Sequence, residues 1–70
     1  MNRGKVLEFL KTLFPECRVV FEGRGVKVYC QSAGWIIGRG GERLNSLGKL
    51  LKRIDSSIES VEVNGYRWTP

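Results

Sequence analysis

The stretch GWIIGRGGERL, residues 34–44, decides how this chain is organised. At its centre, Gly38-Arg39-Gly40-Gly41 places three glycines in four positions, which removes side chains and permits positive φ angles. The apolar residues on either side predict two helices that this loop joins. The backbone N–H groups of such a loop can approach a bulky ligand closely, and the positive end of the following helix points into the same space. With the cation of Arg39 at its tip, the loop favours a phosphate.

Two other glycine-rich phosphate motifs do not fit this stretch. A P-loop requires Gly-x-x-x-x-Gly-Lys-Ser/Thr, and the chain contains no such run. The dinucleotide motif Gly-x-Gly-x-x-Gly would need its third glycine where Arg43 stands. A plain turn between two helices remains the alternative, although two helices can be joined without three glycines.

The residues before the loop predict a helix and a β-hairpin. Apolar residues recur at three- and four-residue steps over residues 2–14, which is typical of an amphipathic helix. Apolar and polar residues then alternate over residues 17–31 on both sides of Gly23-Arg24, and a two-residue type II′ turn there sets the register. That register pairs Glu22 with Gly25, Phe21 with Val26, Val19 with Val28, and Cys17 with Cys30. The two thiols are expected to be buried neighbours, and a reducing compartment favours free thiols over a disulfide.

The residues after the loop complete an α+β fold. Leucines at helical spacing predict a helix over residues 42–54, and Val61 and Val63 mark a last strand. Residues 66–68 are either a short extra strand behind the Asn64-Gly65 turn or a tail. With a short helix over residues 33–37, the order is αββααβ. We therefore expect a three-stranded mixed sheet with helices packed on one face.

Composition narrows the classes of function. Twelve Lys and Arg against seven Asp and Glu give a net charge of +5, which attracts polyanions such as nucleic acid. The chain has no His, its carboxylates are scattered, and its two cysteines lack metal-ligand spacing, so we expect no enzyme, cofactor or metal site. No apolar run approaches the ~20 residues of a membrane span, which favours a cytoplasmic protein without a membrane partner.

Residues Ile37-Gly38-Arg39-Gly40-Gly41-Glu42-Arg43-Leu44 resemble the KH signature Ile-Gly-x-x-Gly-x-x-Ile/Leu. With the αββααβ order around it, the chain is similar over nearly its whole length to the prokaryotic, or type II, KH domain of small stand-alone bacterial and archaeal RNA-binding proteins. The resemblance implies one KH domain over residues 1–70.

The resemblance also implies a site. In KH domains the Gly-x-x-Gly loop clamps about four nucleotides of a single strand. Carried onto this chain, the loop is 38–41 and the apolar floor maps onto Gly34, Ile37 and Leu44. Arg43 lies one turn into the second helix and near the loop, so we expect it to contact phosphate. Trp35 is a candidate for base stacking. Together, the resemblance and the positions of Trp35 and Arg43 predict these RNA-binding residues: Gly34, Trp35, Ile37, Gly38, Arg39, Gly40, Gly41, Arg43 and Leu44. The family's variable loop is short here, at residues 55–57.

The function that this implies is a non-enzymatic single-stranded RNA-binding module with weak base preference. One small domain binds weakly, so a homodimer, a longer RNA site or a protein partner is expected. Two alternatives stay open. One is a KH-like protein-interaction module in a ribonucleoprotein or ribosome-associated complex, which the intact glycines and Arg39 argue against. The other is a single-stranded DNA binder.

Overall fold

The computed structural model describes residues 2–70, in which three helices, one 3₁₀ turn and four strands follow one another. In chain order they are α1 (Arg3–Leu13), β1 (Arg18–Glu22), β2 (Gly25–Tyr29), α2 (Gly34–Ile37), the 3₁₀ turn (Arg39–Gly41), α3 (Glu42–Ile54), β3 (Ser60–Val63) and β4 (Tyr66–Trp68). None of the helices within residues 2–70 has the length and apolar character that crossing a bilayer requires.

The strands form one mixed sheet in the order β1-β2-β3-β4. β1 and β2 are antiparallel, and their register confirms the predicted pairs, Phe21 with Val26 and Val19 with Val28. β2 and β3 are parallel, as expected for strands on either side of a helical crossover. The chain therefore leaves the end of β2, passes through α2 and the loop, and returns along α3 to the start of β3.

The expected three-stranded αββααβ layout is wrong, because β4 adds a fourth strand that pairs antiparallel with β3. Asn64 and Gly65 have φ angles of 48° and 91°, the two positive values that a type I′ hairpin turn requires. Trp68 pairs with Val61 in this ladder and is buried, so residues 66–68 are a strand and not a tail. α2 is also shorter than predicted, with a single turn of four residues.

Helices α1 and α3 pack on one face of the sheet. Valines of β2 and β3 that point to this face are almost fully buried, and Val6 and Leu10 of α1 cover them from one side. α3 covers them from the other side with Leu44, Leu47 and Leu51. Gly48 of α3 lies directly on the Trp68 indole, where an added Cβ would overlap three ring atoms. This glycine therefore lets β4 and its tryptophan join the core.

Cys17 and Cys30 are joined by a disulfide, so the expectation of two free thiols is wrong for this structure. The hairpin register that predicted them as cross-strand neighbours is confirmed, and their Cα atoms are 4.5 Å apart. That separation lies within the range that a disulfide needs. We expected free thiols because we expected a reducing compartment. The geometry of the hairpin, in contrast, permits the disulfide.

Candidate nucleic-acid interface

A groove of about 770 Å³ runs between the glycine loop and β4. One wall is formed by α2, the loop and the first turn of α3, and the other by the β3–β4 turn and β4. The residues that line it are Ala33, Gly34, Ile37, Gly38, Gly40, Gly41, Leu44, Asn45, Asn64, Tyr66, Arg67 and Trp68. Six of the nine residues predicted from the sequence are in this set. The structure does not bring Trp35, Arg39 and Arg43 into the lining.

The three residues predicted as the apolar floor all line the groove. Leu44 is buried and Ile37 is half-buried, so each serves the core and also presents part of its surface to the groove. A Cβ added at Gly34 would meet no atom within 4 Å, which means that the wall of α2 is bare at this point. A planar base can therefore approach the backbone of α2 without meeting a side chain.

The loop presents unpaired backbone donors at its tip. Gly38, Gly40 and Gly41 have φ angles of 75°, 63° and 79°, which residues other than glycine rarely adopt. The Gly41 N–H donates to the Gly38 carbonyl at 3.2 Å, whereas the N–H groups of Arg39 and Gly40 have no hydrogen-bond acceptor within residues 2–70. Two consecutive free N–H groups beside the start of α3 are suited to an anion.

Gly38 has a packing role in addition to its place in the loop. A Cβ there would lie 2.8 Å from Cγ and 2.9 Å from Cβ of Arg43, so only glycine lets this arginine fold against the loop. Arg43 Nη1 donates to the Trp35 carbonyl at 3.1 Å, which ties α3 to α2. The structure thus gives Arg43 a bracing role that the sequence did not predict. Arg43 is an exposed residue, and a phosphate contact through its remaining guanidinium N–H groups stays a prediction.

Trp35 lies outside the groove. Its ring meets the Phe14 ring edge-to-face at a centroid distance of 5.3 Å, and 55% of the residue is exposed. It lines a separate depression of about 420 Å³ together with Phe14 and the disulfide. The single turn of α2 directs Trp35 toward α1 and away from β4, so we do not assign this residue a contact with a strand in the groove.

Sequence reasoning missed the second wall of the groove. Tyr66 is 62% exposed at its rim, and Trp68 closes its base with an indole N–H that donates to Asn45 Oδ1 at 2.9 Å. Arg67 completes this wall. The Asn64-Gly65 turn already predicted a strand at residues 66–68 as one of two alternatives, but the residues of that strand were not assigned to the binding site.

The β3–β4 turn is held rigidly against the end of β2. The Asn64 side chain donates to the Cys30 carbonyl at 2.7 Å and accepts from the Cys30 N–H at 2.8 Å. Its backbone N–H donates to the Val28 carbonyl at 3.0 Å. Asn64 therefore extends the β2–β3 ladder by one step, and Tyr66 starts from a fixed position opposite α2.

The loop at residues 55–57, which the KH resemblance predicts as a short variable loop, lies outside the lining of the groove. Asp55 is buried there, and its Oδ1 accepts hydrogen bonds from the Ser57 hydroxyl at 2.6 Å and from the Ser57 N–H at 3.0 Å. The hydrogen bond from the Ser57 hydroxyl lowers the pKa of Asp55, although burial acts in the opposite direction. This turn adds no wall to the groove.

The charged side chains near the groove are few. Arg39 at the loop forms no ion pair within residues 2–70, where the two ion pairs are Arg24–Glu59 and Lys27–Glu22. Arg67 on β4 stands opposite Glu62 and also lines a depression on the open face of the sheet that contains Glu22 and Glu62. Glu42 is the acid in the first turn of α3. It stabilises the helix terminus but lowers the positive potential there, so the loop amides and arginines must supply the attraction for an anion.

Within residues 2–70, no group of three or more Cys, Asp or Glu side chains is placed to hold a metal ion. Comparisons with family models, with curated proteins and with solved structures found no match to this chain. The assignment of a function therefore depends on the groove itself.

Proposed function

We propose that this protein binds single-stranded RNA in the groove between the glycine loop and β4. The observation that carries the proposal is a loop with two consecutive free backbone N–H groups, those of Arg39 and Gly40, of which Gly40 lines the same groove of about 770 Å³ as the apolar floor. A nucleic-acid strand presents the two complementary features side by side. Its anionic backbone matches the N–H donors, and the apolar faces of its planar bases match the floor.

The phosphates of the strand are expected to lie on the loop. The N–H groups of Arg39 and Gly40 can donate to phosphate oxygens, and the flexible Arg39 guanidinium adds a charge-assisted hydrogen bond. Contacts of this kind hold the strand in register and read no sequence, which agrees with weak base preference. The proposal involves no chemical reaction, and the cytoplasmic location expected from the sequence stays a prediction.

The bases are expected to lie over Gly34, Ile37 and Leu44 and against β4. The polar groups of the floor are backbone groups, so discrimination among bases is limited to shape and to a few hydrogen bonds. Nothing in this arrangement selects a 2′-hydroxyl, and a DNA strand offers the same backbone. Whether RNA or DNA binds more tightly is therefore an outcome of the experiment.

The test is a titration with U-, A- and C-rich RNA oligomers and their DNA equivalents at several salt concentrations. We expect log K to fall linearly with log salt with a slope of about −2 to −3, which corresponds to three or four phosphates on a single strand. A nearly flat dependence would contradict a phosphate-led mechanism. Absence of binding to every oligomer would favour the alternative of a protein-interaction module.

Replacing Tyr66 by Ala is expected to weaken RNA binding about tenfold while the fold is kept. Tyr66 is an exposed aromatic side chain at the rim, and base–aromatic stacking contributes about 1–3 kcal/mol per base. Tyr29→Ala is the matched control, because Tyr29 is 45% exposed and does not line the groove. Fluorescence anisotropy measures both. Equal affinities for the two variants would remove Tyr66 from the site.

A further inference from the structure

A second depression of about 410 Å³ lies next to the groove along α3. Asn45 and Trp68 line both, so the groove and the depression meet at the hydrogen bond that joins these two side chains. Beyond this pair the depression is lined by Lys49, Lys52, Arg53, Thr69 and Pro70. None of the side chains that line it is acidic. A strand that leaves the groove past Trp68 therefore enters a positively charged surface.

Two of these cations are free to take a ligand. Lys49 and Arg53 are exposed, and neither forms an ion pair within residues 2–70. Lys52 is already occupied, because its Nζ donates to the carbonyls of Ser56 at 2.9 Å and Ile58 at 3.0 Å. Lys49 and Arg53 are four residues apart on one helix, where like charges face each other and repel. An anion between them relieves that repulsion.

We infer that Lys49 and Arg53 form a second phosphate-binding site, which takes the strand as it leaves the groove. The inference rests on the proposed function and extends its footprint beyond the four nucleotides expected for the groove. At the rise of an α-helix, Lys49 and Arg53 lie about 8 and 14 Å beyond Leu44 along α3. A strand must therefore continue past the groove to reach them, and a short oligomer in the groove cannot do so.

The test compares the wild type with Lys49→Gln/Arg53→Gln, using oligouridylates of four and ten nucleotides. NMR titration measures the weak short complex, and fluorescence anisotropy measures the long one. We expect equal affinity for the four-nucleotide oligomer and about tenfold weaker binding of the ten-nucleotide oligomer by the variant. The salt slope for the long oligomer should become shallower by about 1.4, because two phosphate contacts are lost.

The matched control is Lys5→Gln/Lys11→Gln on α1. It removes the same charge from exposed positions that line neither the groove nor the depression along α3. Glutamine keeps the helix propensity of lysine and arginine, so both variants should fold, and circular dichroism checks this. The control variant should bind the ten-nucleotide oligomer more tightly than the four-nucleotide oligomer by the same factor as the wild type.

Three results would overturn the inference and leave the proposed function intact. They are a wild type that gains nothing from the longer oligomer, a variant that binds the longer oligomer as tightly as the wild type, and an equal loss at both lengths. Failure of the wild type to bind either oligomer would instead overturn the proposed function, and the second site with it.

Discussion

A protein carrying Arg39→Asp and Gly40→Asp is expected to bind single-stranded RNA about a hundredfold more weakly than the wild type, a loss of about 2.7 kcal/mol. The change replaces one positive charge by two negative charges beside the free loop amides, where the phosphates are expected to lie. Repulsion at this point opposes every register of the strand, so the loss should not depend on base sequence.

The loop variant is expected to keep its fold. Arg39 is exposed, and a Cβ at Gly40 would meet no atom within 4 Å. Gly40 has a φ of 63°, which Asp adopts more readily than most residues, at a strain of about 1 kcal/mol. Circular dichroism and thermal unfolding verify the fold, and anisotropy measures binding. A folded variant with undiminished affinity would rule out the loop as the site.

The β1–β2 turn supplies a close control. Gly23 has a φ of 59° with open space around it, and its neighbour Arg24 is an exposed arginine. Gly23→Asp/Arg24→Asp therefore makes the same chemical change at the opposite end of β2. It also breaks the ion pair with Glu59, which is exposed and contributes at most about 1 kcal/mol. Affinity should fall less than about threefold, since salt screens charge beyond about 8 Å.

Replacing Gly48 by Ala is expected to lower the free energy of unfolding by about 2 kcal/mol. Extra atoms in a packed core cost about 1–3 kcal/mol, and the overlap with three atoms of a rigid indole places this substitution at the upper end. The higher helix propensity of alanine offsets up to ~1 kcal/mol of that cost. Denaturant unfolding of the oxidised protein measures the difference.

Two further variants separate packing from propensity. Gly4→Ala places the same change in α1, where a Cβ would meet nothing within 4 Å, so it should be neutral or slightly stabilising. In a Trp68→Leu background, Gly48→Ala should no longer be destabilising, because the indole atoms that it overlaps are gone. A loss of about 2 kcal/mol that persists in this background would show that Trp68 is not the cause.

Periodicity and turn chemistry predicted most of the framework. The bounds of α3 agree with the sequence, because leucines at helical spacing begin directly after the loop and continue to Ile54. The β1–β2 register also agrees, since the alternation and the two-residue turn specify the same pairs. The loop and the floor could be located for the same reason. They belong to one continuous segment whose conformation is set locally by glycine.

For features that depend on distant contacts, the sequence offered alternatives but did not decide between them. β4 has three residues, too few for an alternation pattern, and its place depends on the fit of Trp68 over Gly48, 20 positions earlier in the chain. The second wall of the groove was missed for this reason. The direction of Trp35 depends on where the single turn of α2 ends, which spacing alone does not determine. The strand register places Cys17 opposite Cys30, but it does not determine whether the two thiols are oxidised to a disulfide.

The Cys17–Cys30 bond has a consequence for the margins of the sheet, which are β1 and β4. Together with the tight turn at Gly23, it converts the first two strands into a covalent ring, so β1 cannot peel away and exchange with a second molecule while the sulfurs are joined. β4 has no such link and is held by three residue pairs and one indole. Any unprotected edge strand can exchange between two molecules of the protein. The disulfide therefore confines such exchange to β4.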